Sequence, residues 1–129
     1  AISGIDAMSI TGPKGIRYQD KVAGTTETET AAAVRIAGEV DRAYFKTATT
    51  EIEGSGYNCK IRVAKSGSNS TVIWNPWIQK SKRMPDFGDD EYPQMVCVES
   101  GNVAQNQTTL PPGSRAVMQL EITSGPLPY

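Results

Sequence analysis

Apolar and polar residues alternate along most of this chain with the period of two that marks β-strands. In GIDAMSI (4–10), Ile5, Ala7 and Ser9 fall on one side and Asp6, Met8 and Ile10 on the other, and the run closes at the turn residues TGPKG. In AAAVRIAGEVDRAYFK, Val34, Ile36 and Val40 share a face opposite Arg35 and Glu39, and Gly38 marks a bulge or bend between two strands. YNCKIRVAKS sets Cys59, Ile61 and Val63 against Lys60 and Arg62, and RAVMQLEIT sets Ala116, Met118, Leu120 and Ile122 against Gln119 and Glu121. STVIWN and QMVCVES are short, β-branched and bounded by Pro or Gly. Roughly six to eight strands separated by turn signals predict an all-β fold, an antiparallel β-sandwich.

Helix signals are scarce. Asn75 is a candidate N-cap, Pro76 fits a first helical position, and PWIQKSKRM makes one or two turns before Pro85 ends them. TTETETAAA reads as a polar loop entering a strand. At 129 residues, with 38% hydrophobic and 21% charged positions, the composition is that of one ordinary soluble domain. No apolar run approaches the ~20 residues of a membrane span. No charged-then-apolar leader opens the chain, and AISGIDAMSI reads like the interior of a fold.

Charge and residue types narrow the chemistry. A net charge of −1 with dispersed basic residues argues against nucleic acid as a partner. QKSKR could hold a phosphate, although such a run is more often solvated surface. Cys59 and Cys97 sit in apolar alternating segments, which favours buried free thiols over a disulfide and a reducing compartment. The chain contains no histidine, so a Ser/His/Asp triad and a histidine-bearing zinc site are both excluded. Proton chemistry within it falls to carboxylates, tyrosines or lysines. The sequons at Asn69 and Asn106 read as chance tripeptides.

Three groups remain as candidates. Glu99 shares a strand face with Met95 and Cys97 while Val96 and Val98 take the other, so the strand reads as central and the carboxylate as partly desolvated, which would raise its pKa toward a general base. The alternative is that the strand ends at Val98 and Glu99 meets water. DFGDDEY, with Asp86, Asp89, Asp90 and Glu91, lacks the spacing of a calcium loop and reads as solvated. Its neighbours Trp74, Trp77, Phe87 and Tyr92 either stack on a sugar or plug the end of the sandwich. Asp20, flanked by Arg17 and Lys21, reads by itself as a surface ion pair.

Together, GIRYQDKV, GEVDRAYF, TVIWNPWIQKSKRMPDFGDDEYPQMVCVESGNV and LPPGSRAVMQLEI resemble the hexose-6-phosphate mutarotases, or glucose-6-phosphate 1-epimerases, an aldose 1-epimerase-like group that includes apospory-associated protein C. The resemblance spans nearly the whole chain. It implies that residues 1–129 form the C-terminal half of a galactose-mutarotase-like supersandwich whose N-terminal half is absent. The implied activity is interconversion of the α and β anomers of a hexose 6-phosphate, with Glu99 of CVE as base, Asp20 of the Y-x-DK motif as sugar ligand, and an acid histidine in the missing half. No metal or organic cofactor is implied. The expected partners are the sugar phosphate and the missing half or a partner chain, and the expected compartment is the cytoplasm, with a plastid as the alternative. A half sandwich would expose sheet edges and an apolar face, so the chain is expected to need its other half for stability and activity. The competing reading is a non-catalytic carbohydrate-binding or structural subunit of the same fold.

Overall fold

The computed structural model describes residues 2, 4–46, 49–54 and 58–127. Their strands are β1 (Met8–Thr11), β2 (Arg17–Asp20), β3 (Thr25–Thr28), β4 (Val40–Tyr44), β5 (Thr50–Gly54), β6 (Cys59–Ser66), β7 (Ser70–Asn75), β8 (Cys97–Gly101) and β9 (Gln119–Pro126). They form a four-stranded sheet in the order β1-β5-β6-β9 and a five-stranded sheet in the order β3-β2-β4-β7-β8. Every pairing is antiparallel, as expected of the sandwich. One short helix, α1 (Trp77–Ser81), follows β7. Among the described residues, no helix is long and apolar enough to cross a membrane.

The core lies between the sheets. Met8, Ile10 and Ile52 of the first sheet join Tyr18, Val40, Tyr44 and Ile73 of the second in one buried cluster. At roughly 1.5–3 kcal/mol for a fully buried aliphatic or aromatic side chain, this cluster dominates the folding energy. β3 contributes nothing to it, because all four of its residues are exposed. That strand, within a stretch expected to be a loop, is held as a hairpin partner of β2 across a turn closed by Gly24 at φ +73°.

The local pattern misled elsewhere too. A 3₁₀ turn over Ile5–Ala7 resets the phase of GIDAMSI, so Ile5, Met8 and Ile10 are all buried instead of alternating. The strand expected through Val34 and Ile36 shrinks to one antiparallel bridge, Val34 to Ile10, although both side chains are buried. QMVCVES was expected to form a central strand, but among the described residues β8 lies last in its sheet and pairs only with β7. Both cysteines are free, as expected, but half-buried rather than fully enclosed.

The inner face of the five-stranded sheet also carries charge. Glu29 is buried and accepts hydrogen bonds from the Tyr44 hydroxyl (2.8 Å), Arg42 (3.1 Å) and the Ala31 N–H (3.1 Å). The Arg42 guanidinium also stands 4.9 Å from the centre of the Tyr18 ring. On the other sheet, the Lys65 ammonium donates to Ser70 O and Thr71 Oγ1 across the sandwich. Burial pulls its pKa down to about 8.

That depression predicts a pH dependence of stability. In the unfolded chain the amine titrates at ~10.4, so between about pH 8 and ~10.4 the unfolded state binds the extra proton and the contribution of Lys65 to folding stability rises with pH. The urea midpoint of the wild type relative to that of Lys65→Met should therefore climb across this window, and a constant difference would mean that the Lys65 amine is not desolvated.

Candidate functional site

Directly paired residues of antiparallel strands project from the same face, so the register sorts the five-stranded sheet into two sides. Asp20, Arg42, Ile73 and Val98 pair in one row and face the core. Asp41, Trp74 and Cys97 form another row, and Gln19, Ala43, Val72 and Glu99 a third, both on the opposite, outer face. On that outer face lies an open cleft of about 420 Å³, lined by Asp41, Glu99, Lys21, Trp74 and Cys97, with Val72 and Val103 as its apolar wall.

Each polar group reaches the cleft for a local reason. The Asp20 carboxylate accepts the N–H groups of Val22 (3.0 Å) and Ala23 (2.9 Å), closing the turn after β2. That turn delivers Lys21, whose backbone N–H donates to Asp41 O (2.9 Å) and whose ammonium lies 3.9 Å from the Asp41 carboxylate. Asp41 follows buried Val40 on β4 and therefore points outward. Trp74 pairs with Asp41, and Lys80 stands 5.9 Å from its ring centre while pairing with Glu39 at 3.5 Å. Burial, reinforced by the neighbouring Glu99 charge, raises the pKa of the Cys97 thiol.

Glu99 projects into the cleft, but the burial expected of it is absent. Its side chain is exposed, on the open outer face of a strand that among the described residues pairs with β7 alone. Asp20 is turned to the other face, where its second oxygen lies 3.5 Å from Arg42 Nε; Arg17 and Lys21, expected to flank it, are not its partners, and Lys21 pairs with Asp41 instead. The structure therefore does not bring Asp20 and Glu99 together. The carboxylate that shares the cleft with Glu99 is Asp41, which the sequence did not single out. Its position after Val40 in GEVDRAYF marks it as outward-facing, but only strand pairing sets it beside Trp74.

The remaining candidates separate cleanly. Trp77 and Tyr92 pack ring to ring at 5.1 Å, and Trp77 lies against the core, so these two plug the sandwich. Only Trp74 of the four aromatics lines the cleft. Asp86, Asp89, Asp90 and Glu91 are exposed, and Glu91 accepts the Gly88 N–H at 3.1 Å, as befits a solvated loop. Among the described residues, no group of three or more His, Cys, Asp or Glu side chains is arranged to hold a metal ion. The cleft thus offers two carboxylates as hydrogen-bond and proton acceptors beside an indole, a combination suited to a polyhydroxylated ring with apolar C–H faces.

Two antiparallel sheets with an open acidic and aromatic cleft on one outer face make a β-sandwich, and comparison with known proteins gives its family. The family profile described as aldose 1-epimerase matches residues 3–123, and the chain belongs to that family. It is 33% identical over 131 residues to a Cenchrus ciliaris protein named "Putative glucose-6-phosphate 1-epimerase", covering 99% of this chain and 39% of that one. The crystal structure of "a putative mutarotase (YeaD) from Salmonella typhimurium" superposes with a TM-score of 0.71 at 30% identity, over 77% of this chain and 34% of that one. The crystal structure of HI1317 shares the fold, with a TM-score of 0.79 at 18% identity over 96% of this chain and 43% of its own. The chain thus spans well under half the length of these relatives.

The thiol beside Glu99 supplies a direct probe of the cleft. Replacing Glu99 with Gln removes a charge that disfavours the thiolate, so iodoacetamide at pH 8 should alkylate Cys97 faster in Glu99→Gln than in the wild type. Mass spectrometry of the Cys97 peptide reads the rate, and equal rates would mean that the two side chains do not face each other.

Proposed function

We propose that this chain is the C-terminal half of a mutarotase that interconverts the α and β anomers of a hexose 6-phosphate, with Glu99 as the general base. The observation that carries the proposal is the outer face of the five-stranded sheet, where Glu99 and Asp41 flank Trp74 in one open cleft of an aldose 1-epimerase family member. The name of the Cenchrus ciliaris relative supports glucose 6-phosphate as substrate.

In this mechanism the Glu99 carboxylate takes the proton of the anomeric hydroxyl while an acid protonates the ring oxygen. The bond between the anomeric carbon and the ring oxygen breaks, the open aldehyde rotates, and the ring recloses on the other face. The resemblance makes the acid a histidine, and since this chain holds none, on this reading the acid belongs to the rest of the polypeptide. Asp41 accepts hydrogen bonds from sugar hydroxyls, and the indole of Trp74 supports the ring. Asp20, the sugar ligand implied by the resemblance, serves the cleft from the opposite face by closing the turn that carries Lys21.

The uncovered parts of the fold support a larger whole. Leu120 and Ile122 of β9 are in register with Lys65 and Val63, so they share the inner face of their sheet, yet they are 51% and 62% exposed. Apolar side chains on an inner face call for a cover, which further polypeptide supplies. Bound sugar desolvates Glu99 in the cleft and strengthens it as a base.

The test is anomer exchange of glucose 6-phosphate, followed by NMR on the intact parent protein. Glu99→Gln should lower kcat by at least about 100-fold, and full retention of activity would remove Glu99 as base. Asp41→Asn should reduce kcat/KM about tenfold more than Asp20→Asn, a difference worth about 1.4 kcal/mol. The reverse order would return the ligand role to Asp20.

A further inference from the structure

We propose that Asn75 and Ser68 are positioning residues for Glu99, forming two buried side-chain clasps that grip β8 at its two ends. The proposal rests on the reading of Glu99 as the base. A base acts only if its carboxylate is held within about half an ångström of the productive position. Among the described residues β8 pairs with β7 alone, so side-chain contacts at its two ends add to a ladder that this chain supplies from one side.

The first clasp is at the entry to β8. Asn75 ends β7 and is fully buried. Its amide donates to Tyr92 O and Met95 O, both at 2.9 Å, and its carbonyl oxygen accepts the Trp77 N–H at 2.8 Å. One side chain thereby ties the end of β7, the start of α1 and the segment that leads into β8. The chain at this corner is not relaxed. Trp77 has φ +56°, a left-handed conformation that a bulky side chain rarely takes, and its bond to Asn75 together with its packing on Tyr92 holds it there. Such conformations persist where the surroundings over-determine them, often beside functional sites.

The second clasp is at the exit. Ser68 is fully buried, and its Oγ accepts the Gly101 N–H at 2.9 Å while lying 3.0 Å from both Gly101 O and Ser70 O. Gly101 is two residues beyond Glu99. The next buried hydroxyl, Ser70 Oγ, accepts from Val103 N (3.3 Å) and from the Asn106 side-chain amide (3.0 Å). Asn102 completes the join with bonds to Gly67 O (3.0 Å) and from Asn69 N (2.7 Å). Since Val103 lines the cleft, this clasp fixes the apolar wall as well as the strand that carries the base.

The experiment uses the intact parent protein, with Asn75→Ala and Ser68→Ala. Anomer exchange of glucose 6-phosphate should show kcat reduced about tenfold or more with KM changed by less than about threefold, because substrate contacts remain while the base is misplaced. Amide hydrogen exchange should accelerate at residues 98–101 and stay unchanged across β4. Where Asn75→Ala fails to fold, Ser68→Ala alone decides the matter. Unchanged kcat in a folded variant overturns the proposal, and so does exchange that accelerates equally in every strand, which would mark a purely structural role. An inactive wild-type parent would sink the enzymatic reading first, and the local exchange pattern would then decide whether the clasps hold β8.

Discussion

A slip of one residue between β4 and β7 would drive Tyr44 or Ile73 out into water and pull Asp41 or Trp74 into the core. Both Tyr44 and Ile73 are completely buried, so such a slip would forfeit several kcal/mol and the observed register is strongly enforced. The cleft is the other side of that constraint. Asp41, Trp74 and Glu99 share a face because the intervening side chains on the same strands are committed to the core. Burial on one side of the sheet thus assembles chemistry on the other.

The inner face carries a second constraint, because a carboxylate buried as deeply as Glu29 must be fully satisfied. Tyr44, Arg42 and a backbone N–H meet that need, and Arg42 then reaches toward Asp20. Asp20 is therefore bound up with the core network and with its own turn. Its turn sets Lys21 at the cleft mouth, so the two faces are linked through one residue.

The edges of the sandwich have opposite characters. β3 is polar, short and fully exposed, a form that resists further pairing. β9 presents Leu120 and Ile122 where a core should continue, and β8 ends the cleft side with Glu99 open to solvent. One edge is thus polar and closed to pairing, while the other leaves apolar side chains and Glu99 open. That asymmetry fits a chain spanning 34% to 43% of the length of its relatives.

The sequence by itself determined the all-β class, the position of most long strands, a short helix whose expected start at Pro76 lies one residue before the observed Trp77, and Glu99 as the carboxylate to examine. These are local properties: period-two alternation, a cap residue beside a proline, and a family motif. It could not show that GIDAMSI shifts phase through a 3₁₀ turn, or that exposed TTET forms a strand, since neither has a local apolar signal. Nor could it show that β8 lies at an edge, that Asp20 turns inward, or that Asp41 meets Trp74 and Glu99. Those facts depend on which strand lies beside which, and strand pairing joins residues far apart in sequence through hydrogen bonds that any backbone can make. Only the tertiary structure selects among them, because only there is the burial of Tyr44 and Ile73 weighed against every alternative register.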